Sequence, residues 1–183
     1  MLNRFVPFAN LFDKNKTMES FVFSDQAMQL KDITINNYSD YIRKQVIGCS
    51  VYNGMTEYYK AIKLVLNSVN QPKSSGFFGS LFGKKEIVKE KYLHFFLTDG
   101  ESQTKHKDFQ TINELLGSDG NHFIVFMSIA PRKLSFLEEN YGDHKYTDYH
   151  NFTIRELKSL DNVSDDDLYE MLLSPQLINW MNT

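Results

Sequence analysis

The sequence contains few cysteines, prolines or tryptophans: one cysteine, four prolines and one tryptophan among 183 residues. A single cysteine excludes an internal disulfide and any cysteine-based zinc site. No apolar run approaches the length of a membrane span. The N-terminal segment is interrupted by polar residues and a proline, so it does not have the pattern of a signal peptide. These absences favour a chain held together by its apolar core in a reducing, cytoplasmic setting.

The chain also lacks an excess of positive charge. Its formal net charge is −3 and 23% of its residues are charged. Nucleic-acid binding favours a clear basic excess, so we expect no nucleic-acid partner. Its five histidines show no pair at the helical spacing of a metal site. With 42% hydrophobic residues, the 183-residue chain is long enough for one domain, residues 1–183, with a sizeable core.

Aromatic residues, by contrast, are abundant, with 15 phenylalanines and 10 tyrosines. Some of them fall in the segment 71–86, whose proline, serines and glycines predict a flexible insert. Phe77 and Phe78 lie within it. We predict that these rings either fold back onto the domain or contact a protein partner. Contact with a membrane surface is a third alternative, and we do not expect it.

Strand and helix patterns alternate along the chain, which predicts an α/β fold with a mostly parallel sheet. Strands are predicted near residues 20–24, 28–30, 92–98, 122–129 and 146–152, the last at a sheet edge. Helices are predicted near residues 5–12, 38–47, 56–69, 107–116 and 134–141, and again from residue 165. We expect the strands at 20–24, 92–98 and 122–129 to share one sheet.

One strand ends in a candidate ligand site. The apolar run that leads into Thr98-Asp99-Gly100 reads as a buried strand that ends in a carboxylate. Ligands of open α/β sheets collect at the carboxyl ends of strands. A second segment, Gly54-Met55-Thr56-Glu57, opens the clearest helix of the chain. We therefore expect Thr56 to lie close to Asp99.

The Gly-x-Thr turn before a helix, followed by a strand that ends in Leu-Thr-Asp-Gly, resembles the von Willebrand factor A (vWA) domain. Segments 21–25, 35–41 and 163–180 resemble, in the same order, the bacterial branch linked to tellurite-resistance and stress-response proteins. The resemblance implies a three-layer α/β/α, Rossmann-like open sheet. It also implies that Thr56 and Asp99 are two parts of a metal-ion-dependent adhesion site.

One part of that family's site is missing from the sequence. The family's first strand ends in Asp-x-Ser-x-Ser, and no aspartate of this chain is followed two positions later by serine. The chain therefore resembles a vWA domain truncated before its first strand. Mg²⁺ takes six oxygen ligands, so we expect Mg²⁺ binding to Thr56 and Asp99 alone to be weak or absent. For this chain alone we favour the alternative that Thr56 caps a helix and Asp99 hydrogen-bonds a turn.

The resemblance implies a non-catalytic protein-interaction module of a bacterial stress or tellurite-resistance system. The candidate partner-binding residues are Gly54, Glu57, Glu101, Phe77 and Phe78. One alternative is a metal-assisted hydrolase that uses Asp99 and Glu101, although no set of base, nucleophile and orienting residue can be assembled. The other is a remnant or half of a split domain that needs a complementing strand. Because unpaired strand edges recruit other strands, self-association is expected in that case.

Overall fold

The computed structural model describes residues 16–51, 54–70, 90–118, 120–142, 149–154 and 163–183, together with Arg4 and Val6. The predicted insert at 71–86, with Phe77 and Phe78, lies outside the described residues. So does nearly all of the helix predicted near residues 5–12.

Between residues 58 and 154 the described helices and strands alternate, as the sequence predicts. The strands are β1 (Thr17–Met18), β2 (Phe21–Phe23), β3 (Ala27–Gln29), β4 (Ile33–Thr34), β5 (Tyr92–Thr98), β6 (His122–Ile129) and β7 (Tyr149–Ile154). The α-helices are α1 (Tyr58–Asn70), α2 (Lys105–Gly117), α3 (Ser135–Tyr141), α4 (Asp165–Leu172) and α5 (Pro175–Asn182). Within the described ranges, no helix is both long enough and apolar enough to cross a bilayer.

The segment predicted as one helix over residues 38–47 has a different geometry. It forms a 3₁₀ turn at Tyr38–Asp40 and a π-helical turn at Ile42–Val46. Tyr41 between them is buried, and its hydroxyl donates to the carbonyl of Lys31, which anchors the middle of the segment. Gly48 then adopts a φ of +87°, a left-handed conformation that glycine accepts at no steric cost, and the helical path ends before it.

Strands β5, β6 and β7 form a parallel sheet in that order, which confirms an α/β fold. The predicted bounds of β5 and β6 are confirmed. Strand β6 is buried along its whole length except Ile129, as expected for a central parallel strand that is covered on both faces. Among the described strands β7 lies at the edge, in agreement with the sequence.

The expectation that the strand at 20–24 shares this sheet is wrong for the described residues. Strand β2 pairs with β3 in a separate antiparallel hairpin, and β1 pairs with β4 in another small sheet. The hairpin contacts the larger sheet through side chains instead. The ring of Phe23 lies 5.0 Å from that of Phe96 on β5 and 5.9 Å from that of Tyr58 on α1, measured between centroids. Ring packing, and not strand pairing, therefore attaches β2 in the described structure.

Successive side chains of β6 point to opposite faces, and each face packs against different helices. Ile124 and Phe126 lie in a cluster with residues of the first three helices: Ala61, Ile62, Leu66, Ile112, Leu115, Phe136 and Leu137. Phe123, Val125 and Met127 lie in a second cluster with residues of the last two: Leu168, Leu172, Leu177 and Trp180. Full burial of one such side chain stabilises the fold by about 1.5–3 kcal/mol, and β6 contributes buried side chains to both clusters.

Candidate functional site

The turn that follows β5 is held by its neighbours and leaves Asp99 free. The side chain of Thr98 is buried, with Oγ1 3.2 Å from the carbonyl oxygen and 3.4 Å from the nitrogen of Gly100. The hydroxyl of Tyr58 also donates to the Gly100 carbonyl, at 2.6 Å. Asp99 itself is exposed, and its carboxylate makes no hydrogen bond or ion pair within the described residues.

The segment that leads into α1 lies directly against this turn. The backbone N–H of Gln103 donates to the carbonyl of Thr56 at 2.9 Å. A Cβ atom on Gly100 would lie 2.5 Å from the Thr56 hydroxyl oxygen, so this close approach requires glycine at position 100. The structure thus confirms that Thr56 lies beside the Asp99–Gly100 turn.

The turn of the β2–β3 hairpin borders the same segment from the other side. Glu57 N–H donates to the carbonyl of Ser24 at 3.1 Å. A Cβ atom on Gly54 would lie 2.6 Å from Ser24 Cβ and would also collide with the side chain of Asp25. Gly54 is therefore needed for close packing. The sequence assigns Ser24 and Asp25 only a turn role, but they also form one wall of the site.

Asp108 on α2 links these segments and is not singled out by the sequence. Its side chain is fully buried and accepts three hydrogen bonds. The donors are Tyr59 N–H at 2.8 Å, the Ser102 hydroxyl at 2.5 Å and the Thr104 hydroxyl at 2.9 Å. One carboxylate thereby joins the start of α1, the loop after β5 and the start of α2. An acid in the first turn of a helix is too common a pattern to reveal this role.

The alternative roles expected for Thr56 and Asp99 are wrong in the described residues. The N–H of Tyr59, in the first turn of α1, is satisfied by Asp108 rather than by Thr56. The turn after β5 is hydrogen-bonded by Thr98 rather than by Asp99. Within the described part of the chain, neither the Thr56 hydroxyl nor the Asp99 carboxylate makes a hydrogen bond. Both groups are therefore uncommitted at the carboxyl end of β5.

Glu101, a candidate partner-binding residue, is engaged with α3. Its Oε1 accepts hydrogen bonds from the Ser135 hydroxyl and from Phe136 N–H, the latter at 2.8 Å, and Lys105 Nζ lies 3.7 Å away. Burial raises the pKa of Glu101, but these donors and the ammonium group outweigh it, so the pKa is lower than usual. The carboxylate is thus ionised at neutral pH and holds the start of α3 against the loop.

Glu57, another candidate, pairs within its own helix turn. Its Oε2 is buried and lies 3.0 Å from Lys60 Nζ, within ion-pair distance. This carboxylate is therefore paired with a cation, unlike that of Asp99.

The described residues do not fit a complete Mg²⁺ site. They contain no group of three or more histidine, cysteine, aspartate or glutamate side chains that could hold a metal ion. Thr56 and Asp99 offer one hydroxyl and one carboxylate, whereas Mg²⁺ requires six oxygen ligands in an octahedral array.

A known protein family matches the chain as a whole. A model described as the vWA domain found in the TerF C terminus, of the tellurite-resistance type, matches residues 1–183, the whole chain. No curated protein and no solved structure matches it. The matched range includes both turns, Gly-x-Thr at residues 54–56 and Thr-Asp-Gly at residues 98–100. The chain belongs to the family of vWA domains found in the TerF C terminus.

Proposed function

We propose that this chain is a non-catalytic protein-interaction module of a bacterial, cytoplasmic stress system associated with tellurite resistance. Its contact surface is a rim formed by Gly54, Thr56, Glu57, Asp99 and Glu101. One observation carries the proposal: the Thr56 hydroxyl and the Asp99 carboxylate are uncommitted in the described residues, while Thr98 and other neighbours hold the loops around them. Polar groups left free at the carboxyl end of a parallel strand are available for a partner.

The ionisable groups at the rim favour binding over catalysis. Glu101 is hydrogen-bonded to the start of α3, and Glu57 pairs with Lys60. Burial raises the pKa of Tyr58 well above its usual range, so its hydroxyl stays protonated and donates to Gly100. Asp99 is thus the free acid of the rim, with no base and nucleophile pair beside it among the described residues, which argues against the hydrolase alternative.

Site-specific photo-crosslinking in cells tests the rim. Met55 is 58% exposed in the rim segment, and Ile178 on α5 is 44% exposed and serves as the control position. We expect a crosslinker at position 55 to give one discrete protein adduct. Asp99→Ala or Thr56→Val should each reduce it about fivefold, because each removes a hydrogen bond worth about 1 kcal/mol.

Adducts formed from position 178 should not respond to either substitution. A rim adduct that neither substitution weakens would contradict the proposal. So would Mg²⁺-dependent turnover of p-nitrophenyl phosphate that Asp99→Ala abolishes, since that result would favour the hydrolase.

Strand β5 suggests a second candidate function, in which the chain binds a complementing strand that pairs beside β5. Among the described strands β5 pairs with β6 alone. Yet its side chains alternate between the two core clusters, with Phe96 in one and Leu93 packed against the other. Apolar residues on both faces are typical of a central strand. We propose a three-layer α/β/α domain in which one further strand, from outside the described residues, lies between β5 and β2.

Calorimetric titration with Mg²⁺ tests the complementing strand. We expect the 183-residue chain to give no stoichiometric binding. A version preceded by a strand that carries Asp-x-Ser-x-Ser should bind Mg²⁺, and Asp99→Ala in that version should weaken binding about tenfold or more. Light scattering should show self-association of the chain alone and a monomer after the strand is added, because the strand covers an open edge. Tight Mg²⁺ binding by the unmodified chain would contradict the proposal.

A further inference from the structure

A group of lysines surrounds one tyrosine beside the rim. Three ammonium groups lie near the ring of Tyr59: Lys107 Nζ at 5.2 Å, Lys63 Nζ at 5.5 Å and Lys60 Nζ at 5.8 Å from its centroid. Tyr59, Lys60 and Lys63 belong to α1, and Lys107 belongs to α2. Each cation–π contact at a partly exposed site contributes about 0.5–1 kcal/mol. The attraction of each ammonium group to the ring therefore offsets part of the repulsion among the three lysines.

Two of these three positive charges are not neutralised within the described residues. Lys60 lies 3.0 Å from Glu57 Oε2 and also donates to the carbonyl of Asp25. Lys63 and Lys107 are exposed, and neither pairs with a carboxylate in the described ranges. The two free ammonium groups therefore create a local positive potential on a chain whose net charge is −3.

Local helix preference works against one of these lysines. Lys107 lies in the first turn of α2, where the helix dipole disfavours a cation. The acid next to it, Asp108, is fully buried and already bound by three donors, one of which is the N–H of Tyr59. That last bond fixes the backbone of Tyr59, from which the ring extends. Positions that work against local stability are candidates for function.

We propose that Tyr59, Lys63 and Lys107 form a docking surface for an acidic peptide segment of a protein partner. Tyr59 follows Thr56 by three residues, so the surface borders the rim. The inference rests on the proposed interaction function and names the chemistry of the partner. Tyrosine is enriched among the residues that contribute most to binding at protein interfaces, and the flanking ammonium groups attract carboxylates. A long polyanion such as RNA fits less well, because Lys60 is already paired with Glu57 and only two free charges remain to neutralise phosphates.

Fluorescence anisotropy with a labelled polyglutamate peptide, in EDTA and at low salt, tests the surface. We expect binding that weakens about tenfold in the double variant Lys63→Glu, Lys107→Glu, because two attractive contacts become repulsive. The matched control is Lys16→Glu, Lys31→Glu, which changes the net charge equally at exposed lysines outside α1 and α2 and should weaken binding less than about twofold. Tyr59→Phe should retain binding and Tyr59→Ala should weaken it about threefold.

The outcomes separate this inference from the proposed function. Peptide binding that survives Asp99→Ala in EDTA supports the surface even if rim crosslinking fails. Rim crosslinking without peptide binding supports the proposed function and overturns the inference. An equal loss in the Lys16 and Lys31 control would show general charge attraction and overturn it. So would binding of a thymidine oligonucleotide in place of the peptide.

Discussion

Replacing Asp108 with alanine should lower the free energy of unfolding by about 3 kcal/mol, since a buried carboxylate with several donors is lost. The side chain is 0% exposed and accepts from Tyr59 N–H, the Ser102 hydroxyl and the Thr104 hydroxyl. Without it, these donors stay in a site that water does not reach. The start of α1 and the loop after β5 would also lose their common anchor. Urea denaturation followed by circular dichroism measures the change.

Two control variants separate the hydrogen bonds from the charge. Asp108→Asn keeps one oxygen acceptor and should cost about half as much as alanine. Asp166→Ala, at an exposed position in the first turn of α4, should cost about 0.5 kcal/mol, the value of a favourable helix-dipole interaction. If Asp108→Ala were no more destabilising than Asp166→Ala, the anchoring role of Asp108 would be wrong.

Acidification from about pH 6.5 to about pH 5 should lower the free energy of unfolding by about 2 kcal/mol through His94. The rings of Tyr92, His122 and His94 lie nearly parallel, with the centroid of His122 5.0 Å from that of Tyr92 and 5.2 Å from that of His94, and His94 Nε2 lies 2.9 Å from His122 Nδ1. Burial, together with the charge of His122, lowers the pKa of His94 from 6.5 to about 3. The pair lies at the start of β5 and β6, at the opposite end of these strands from Asp99.

The sign of the effect follows from the direction of the pKa change. Above about pH 6.5 His94 is neutral in both the folded and the unfolded chain, so it does not affect stability there. Below that pH the unfolded chain takes up a proton, whereas the folded chain does not until near its pKa of about 3. Stability is therefore lost as the pH falls, by about 1.4 kcal/mol for each pH unit. Glu101, whose pKa is also lowered, loses its contribution only at more acidic pH.

Urea denaturation at several pH values tests this prediction. His94→Phe keeps an aromatic ring in the stack and should reduce the loss between about pH 6.5 and about pH 5 by about 2 kcal/mol. His106→Gln changes an exposed histidine on α2 and should leave the pH dependence unchanged. A loss of the same size in His94→Phe as in the unmodified chain would show that other groups cause it.

Local patterns were sufficient where a segment's neighbours in sequence decide its structure. Strands β5 and β6 have the predicted bounds because both are apolar runs that end at polar or glycine-containing turns. The segment at 38–47 was predicted as one helix but contains 3₁₀ and π turns, because periodicity over ten residues does not distinguish these types.

The sequence by itself determined the family, the α/β class and the position of Thr56 beside Asp99, because these depend on short ordered motifs at strand and helix ends. Only the tertiary structure showed that Asp108 takes the N–H of Tyr59, and that Glu101 holds α3 through Phe136. It alone showed that Lys63 and Lys107 converge on one ring. Apart from the contact of Lys63 with Tyr59, which spans one turn of α1, these contacts join residues more than thirty positions apart. How the helices and strands pack determines which of these distant residues meet. Local spacing in the sequence does not predict such long-range pairs.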